Sequence, residues 1–318
     1  MSVTNLLMEL FKQDRKANGE YNYISQLAVV TIKSLMPKEN EEGVGIDQNR
    51  FSEELRLWKY YNNGSNQALI KAIDFTSADD YWTISDDSII SRIIPIVVAN
   101  QREDAAEEEA IRNILFTTGK LENLFESILI LHLLLMLVSN RKNEDLISIL
   151  KDKVINFSQT RYLEKYKHNY RNLKFPKNFQ ISFEREKINA LNALNDVRLN
   201  KYNNLKDCLS ILKGYEANTL MGKVLYNYLY NEDMDHNLPK FYLNLGEYIL
   251  NLRKSRIEPE KLKIDKYILP DIFSFEEGEV FYHSLLKSCK VIEKTTEENK
   301  ETVAVQTKTG IYVFKNNI

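Results

Sequence analysis

The sequence predicts an all-α protein, a multi-helix bundle with a small antiparallel β-meander at its C-terminus. Three observations carry that expectation. Only 10 Gly and 6 Pro occur in 318 residues, against about 7% and 5% in ordinary proteins. These are the residues of tight turns and strand ends, so a chain this poor in them favours long helices with few sharp corners. Apolar residues recur at helical spacing through most of the chain, and β-type segments are confined to its last stretch. The change of pattern divides the chain into a helical domain over residues 1–265 and a C-terminal extension over residues 266–318.

The elements follow in order. Leu6, Leu7, Leu10 and Phe11 open a first helix. Ile24, Leu27, Ala28, Ile32, Leu35 and Met36 make a second, which Pro37 ends because proline cannot donate to the helical ladder. The acidic stretch from Lys38 to Asn49, with Gly43 and Gly45, reads as a solvent loop. Phe51, Leu55 and Trp58 stripe the next helix, closed by Asn62-Asn63-Gly64. A polar patch around Asp79-Asp80 precedes a helix from Ile89 to Val98. Two helices between Glu103 and Val138 are separated at Thr117-Thr118-Gly119, and the second is apolar on all sides, which places it in the middle of the domain. Asn140 to Leu150 is amphipathic, and Asn156 to Gln180 reads as an irregular connection. Helices resume at Phe183–Leu199, Asn204–Leu212, Thr219–Leu229 and Pro239–Arg253. Val291-Ile292, Val303-Ala304-Val305 and Ile311 to Phe314 are strands, too short to fold alone. No internal repeat stands out.

Composition narrows the function. Lys and Arg number 43 against 45 Asp and Glu, a net charge of −2, which disfavours a general nucleic-acid binder. Aromatics at 11% supply surface to bury, which disfavours disorder. Neither GxGxxG nor GxxxxGK[ST] occurs, so the common phosphate-cradling loops are missing. The N-terminus lacks a basic segment followed by an apolar run, so no signal peptide is expected. The apolar stretch Ile128 to Val138 falls short of the about 20 residues a bilayer requires. A cytoplasmic protein without membrane attachment is the expectation. Cys208 and Cys289 form neither a disulfide framework nor a CxxC pair and read as inert thiols.

One segment carries a family resemblance. Asp86-Asp87-Ser88-Ile89-Ile90-Ser91-Arg92-Ile93-Ile94-Pro95-Ile96 resembles the asparagine-glycine-x-x-methionine-arginine-x-x-proline-leucine signature of the ADP-ribosylglycohydrolases. Phe51 to Trp58 resembles the helix that precedes it, and Glu109 to Gly119 falls where the family has a helix ending in threonine-histidine. Order and spacing agree over residues 20 to 140 and more weakly to 250. The resemblance implies an all-α bundle that cleaves the glycosidic bond between ADP-ribose and a modified residue. Its two Mg²⁺ ions, held by aspartates and threonines of two motifs, would orient a ribose diol and an attacking water.

The motifs themselves are altered. Threonine-aspartate-aspartate-threonine, aligned on Gln26, becomes Asn22-Tyr23-Ile24-Ser25, and neither Tyr23 nor Ile24 is a Mg²⁺ ligand. Glycine-glycine-aspartate-threonine-aspartate-threonine becomes Gly214-Tyr215-Glu216-Ala217-Asn218-Thr219. Thr117-Thr118 replaces the threonine-histidine pair, Ser88 the signature glycine, and the glycine- and alanine-rich N-terminal segment is missing. The resemblance therefore implies a kept skeleton and lost chemistry, with Arg92 and Pro95 serving packing and internal salt-bridging.

Bland readings outweigh sharp ones at the remaining clusters. Asp79, Asp80, Asp86 and Asp87 sit where helix caps are needed, and adjacent residues on a helix point about 100° apart rather than converging on a metal. Glu216 with Asn218 would hold at most a weak, water-mediated cation; a surface or capping role outranks it, with Thr219 starting the next helix. His132, His168, His236 and His283 show no ligand spacing, and His132 reads as a hydrogen-bonded core residue. Arg161 to Lys177 mixes aromatic and basic residues, which can stack bases and contact phosphates. The same pattern also packs rings on a bundle with cationic heads in water, and the net charge favours that.

The expected function is a non-catalytic ADP-ribosylglycohydrolase-like protein that binds a protein partner or a nucleotide-like ligand. Its vestigial cleft would be lined by Asn22, Tyr23, Asp86, Asp87, Tyr215, Glu216, Asn218 and Thr219, with no catalytic and no metal-ligating residue. Residues 290–318 are the candidate partner-docking element, by pairing at free strand edges. The alternatives are an active hydrolase with a rearranged site, the one case that calls for Mg²⁺, and a structural subunit of an assembly.

Overall fold

The computed structural model describes all residues except 1, 39–41, 65, 75–77, 142–144, 172–173, 232–236, 298–299 and 318; His236 lies outside the described residues. Leu6, Leu7, Leu10 and Phe11 are buried along one side of α1 (Thr4–Asn18). Gly19, at φ +79°, ends that helix by donating its N–H to the Arg15 carbonyl, in the left-handed conformation glycine adopts without strain. In α2 (Tyr23–Ser34) the Asn22 side chain accepts from the Ile24 N–H. This helix stops before Met36 because the next residues form β1 (Leu35–Pro37), antiparallel to β2 (Val44–Ile46) with Leu35 opposite Ile46. The acidic segment thus returns as a hairpin rather than as loop throughout.

Asp47 caps α3 (Gln48–Tyr61) through the Asn49 and Arg50 N–H groups. Next come α4 (Gln67–Asp74) and α5 (Ala78–Thr83), so the patch at Asp79-Asp80 is helical. Then follow α6 (Ile89–Ala99), α7 (Glu103–Thr117) and α8 (Leu121–Val138). By length and composition α8 is able to cross a membrane, but 72% of it is buried inside the bundle, as a helix apolar on every side requires.

After α9 (Leu146–Asn156), the segment read as irregular holds α10 (Gln159–Tyr166) and a 3-10 turn at Lys167–Asn169. Here Tyr162, Tyr166 and Tyr170 are buried while Lys165, Lys167 and Lys177 are exposed, the ring-packing arrangement. The Tyr162 and Tyr170 hydroxyls share a hydrogen bond of 2.7 Å. The helical part closes with α11 (Phe179–Leu194), α12 (Asn203–Leu212), α13 (Leu220–Tyr230) and α14 (Lys240–Arg253). One contiguous apolar core runs from Leu6 to Leu252.

The extension is a four-stranded antiparallel meander, β3 (Val280–His283), β4 (Lys287–Glu297), β5 (Lys300–Thr307) and β6 (Gly310–Asn317), in sequential order. It has one strand more than the sequence indicated, because β3 is only four residues long. Its core of Val291, Val303, Val305 and Phe314 takes in Leu57 from α3. Tyr61 of α3 meets Tyr312 and Phe314 edge-on at 5.1 and 5.8 Å. Beside them lies the ion pair Lys33–Glu54 at 3.1 Å, with Lys33 Nζ over the Tyr312 ring. The meander is thus seated on the bundle through α2 and α3.

Candidate functional site

The head of α6 is organised around a buried charge pair. Arg92 and Asp86 are 0% and 2% exposed, and the guanidinium forms an ion pair with Asp86 Oδ2. Arg92 also donates to the Asn113 side-chain oxygen at 2.7 Å, the Asn113 carbonyl at 3.1 Å and Thr117 Oγ1 at 2.9 Å. Asp86 Oδ1 accepts from the Ser88 N–H, the Ser88 hydroxyl and Asn66 Nδ2 at 2.9, 2.6 and 3.0 Å. Burial alone would raise the Asp86 carboxyl; the Arg92 charge and the Ser88 bond overcome it and hold it below the usual carboxylate range. Further hydrogen bonds to the carboxylate and to both terminal guanidinium nitrogens offset the cost of burying this charge pair, while Arg92 Nε is buried without a partner.

Asp87 and Tyr23 join this network from the solvent side. Asn66 Nδ2 bridges both acids, reaching Asp87 Oδ1 at 2.8 Å, and the Tyr23 hydroxyl donates to Asp87 Oδ2 at 3.0 Å. Burial raises the Asp87 carboxyl above its ordinary range, while the Tyr23 bond pulls the other way. The Tyr23 ring lies so close to Gly64 that a Cβ there would stand 2.8 Å from the ring, and Gly64 has φ +87°, so both space and backbone favour glycine at that position. Behind Tyr23, fully buried Asp14 of α1 accepts from the Asn22 N–H at 3.0 Å and from the Ser25 hydroxyl at 2.5 Å. Burial pushes the Asp14 carboxyl up.

The second group, Tyr215, Glu216, Asn218 and Thr219, sits at the head of α13. Tyr215 is 65% exposed and Glu216 is exposed. Asn218 and Thr219 are held by Asp207 of α12. Its carboxylate accepts from the Asn218 N–H at 3.0 Å, the Thr219 N–H at 2.6 Å and the Thr219 hydroxyl at 2.7 Å. Thr219 Oγ1 in turn accepts from the Gly222 N–H at 2.9 Å, so Thr219 is the N-cap of α13, one residue ahead of the first helical position. The structure therefore joins Tyr23, Asp86 and Asp87 in one side-chain network, while Asn22 beside them bonds Asp14 and the Ile24 N–H instead. Among the described residues no hydrogen bond or ion pair ties the 215–219 group to it.

Sequence reading missed the residues that hold both groups: Asp14, Asn66, Asn113 and Asp207. Each is buried and polar, yet each reads locally as an ordinary surface position on a helix or turn. A faint signal existed at Asp14 and Asn18, whose i,i+4 spacing places the Asn18 amide on Asp14 Oδ1 at 3.0 Å.

His132 also keeps unexpected company. It is 2% exposed, with Nδ1 2.8 Å from Glu103 and Nε2 2.8 Å from Glu107. The hydrogen bond with His132 is the largest influence lowering the Glu103 carboxyl to about 2. His132 and Glu107 line a cavity of about 190 Å³ with Phe125, Leu129, Lys153 and Phe157. Among the described residues no three His, Cys, Asp or Glu side chains converge as metal ligands. Burial raises both thiols, Cys208 above the physiological range and Cys289 to about 11, which leaves them protonated and weakly nucleophilic.

No protein-family model matches the chain, and no curated protein matches it.

Proposed function

We propose that the chain is a non-catalytic relative of the ADP-ribosylglycohydrolases that works by binding a protein partner or a nucleotide-like ligand. The observation that carries this reading is the employment of the four residues at the head of α2. Asn22 caps the helix, the Tyr23 hydroxyl is on Asp87, Ile24 is buried and Ser25 is on Asp14. Each position where the family's first metal motif would fall is committed to an internal contact, and only Asp14 behind them is a carboxylate. What remains open to solvent is Asp87 with the Tyr23 hydroxyl, a hydrogen-bonding edge rather than a cation cage.

The alternative of a hydrolase with a rearranged Mg²⁺ site is less well supported. It would need Asp86, whose two oxygens are already engaged by Arg92, Ser88 and Asn66, and Glu216, which lies in an exposed irregular segment. A partner-docking role for the extension draws support from Val280, Tyr282, Ile311 and Val313, all exposed on its two outer strands.

Calorimetric titration with ADP-ribose, with and without Mg²⁺, tests the reading. Heat that is independent of Mg²⁺ supports a nucleotide-like ligand, and no heat directs attention to protein partners. Mg²⁺-strengthened binding together with release of ADP-ribose from modified protein would overturn it.

A further inference from the structure

The two sides of α11 differ sharply. Phe183, Glu186 and Ala190 face inward and are buried, whereas Ile181, Glu184, Arg185 and Ile188 are exposed. Ile181 and Ile188 are 61% and 58% exposed, and Ile155 at the end of α9 is 59% exposed. The Ile155 carbonyl accepts from Lys187 Nζ at 3.4 Å, which brings Ile155 within a lysine side chain's reach of α11. Two isoleucines seven residues apart stand about 10 Å apart along the helix axis on one face. On the same face between them the exposed charges are Glu184 and Arg185, while Glu186 is buried and Lys187 half-buried. Glu184 makes only a loose intrahelical contact with Lys187 at 3.7 Å.

The order apolar, acidic, basic, apolar is its own complement. With two copies of the helix antiparallel about a two-fold axis between Glu184 and Arg185, Ile181 of one copy meets Ile188 of the other. In the same arrangement Glu184 of each meets Arg185 of the other, and exposed Ile155 of each copy flanks the helix pair. A parallel arrangement would set like charges opposite each other. Isologous contacts of this kind, in which residue i meets j and j meets i, are how most homodimers close.

We propose that α11, flanked by Ile155, is a homodimer interface, and that the partner it fits is a second copy of this chain. One helix pair buries less than a permanent dimer does, so the dimer exchanges with monomer as concentration changes.

Sedimentation velocity of the full chain across a concentration series tests this. Wild type is expected to shift from monomer to dimer as concentration rises. Glu184→Arg and Arg185→Glu each set like charges face to face twice per dimer and are expected to raise the dimer dissociation constant by roughly tenfold or more. The double variant Glu184→Arg/Arg185→Glu recreates the pairs with reversed polarity and is expected to return the constant to within about twofold of wild type. The substituted side chains are exposed, so circular dichroism should be unchanged throughout. A chain that stays monomeric at every concentration overturns the proposal. So does a dimer indifferent to the single reversals, or a double variant no better than the singles.

Discussion

Gly222 offers a test in which the usual rule of helix propensity changes sign. In a helix interior Gly→Ala ordinarily stabilises by about 1 kcal/mol, and Gly222, in the first turn of α13, would gain at most that. At Gly222 the added Cβ would overlap Asp207 Oδ2 and lie 2.7 Å from Asp207 Cγ and 3.1 Å from Ile211 Cδ1. Asp207 must then turn away from Thr219 and Asn218, whose N–H groups it accepts at 2.6 and 3.0 Å. Hydrogen bonds to a charged partner contribute roughly 1.5–3 kcal/mol each. Loss of one or two outweighs the propensity gain and leaves Gly222→Ala about 2 kcal/mol less stable than wild type. Asp207→Ala removes the obstacle together with the bonds and should cost about 3 kcal/mol, since it leaves the part-buried Asn218 and Thr219 donors without their charged acceptor. In that background Gly222→Ala regains its ordinary sign, so the double variant should be slightly more stable than Asp207→Ala alone, a coupling of about 3 kcal/mol. Urea unfolding reads this as a shift in midpoint at unchanged slope. A stabilising Gly222→Ala in the wild-type background, or strict additivity in the double variant, would refute the account of Asp207 as the residue that seats α13.

Further expectations concern the buried charges and the seat of the extension. Arg92→Leu strands the Asp86 carboxylate and should cost about 3–5 kcal/mol, whereas Arg92→Leu with Asp86→Ala should cost less than the sum of the singles; additive midpoints would contradict the pairing. Tyr23→Phe removes the hydroxyl that reaches Asp87 and should lower stability by about 1 kcal/mol at neutral pH, read as a midpoint shift that vanishes in an Asp87→Ala background. Burial and the nearby Lys33 charge depress the His283 imidazole to about 4. Between that value and the ordinary 6.5 the unfolded chain binds the proton and the folded chain does not. Stability should therefore fall as pH drops through this window, by about 3 kcal/mol in all. His283→Asn should flatten that slope in unfolding midpoints taken from pH 7 to 4; a slope unchanged by the substitution would exclude His283 as its source.

What the sequence made legible follows from how local each determinant is. Seven or more apolar residues at helical spacing announce α8 without outside help, and Gly64 marks a break through its own backbone, whereas Pro37 lies in β1, three residues beyond the end of the helix it was expected to stop. The hairpin of Leu35–Pro37 with Val44–Ile46 was hidden because a three-residue strand carries no period; it exists because its partner is nearby. The strand Val280–His283 was missed for the same reason. The acidic pair at 86–87 drew attention as a site, yet the partners that define it, Asn66 and Arg92, lie 20 residues back and six ahead. Asp14 and Asp207 act across helices: their donors at Ser25 and Thr219 stand only 11 and 12 residues away in sequence, but on the next helix or its cap, so no single helical period relates donor to acceptor. Side chains on one face of an element were readable; those that serve a neighbouring element were not.

The central position of α8 also has a bearing on how the chain is made. It packs against α6 and α7, which precede it, and against α9, α11 and α12, which follow. When Val138 leaves the ribosome, part of that eighteen-residue surface, with a mean hydropathy of 1.9, still has no cover. The last covering helix ends about seventy residues downstream, so at roughly 5–20 residues per second the wait is about 4–15 s. During those seconds the nascent chain displays what a signal-recognition factor or a holdase binds. The segment that anchors the finished bundle is the one most exposed to misrouting during synthesis.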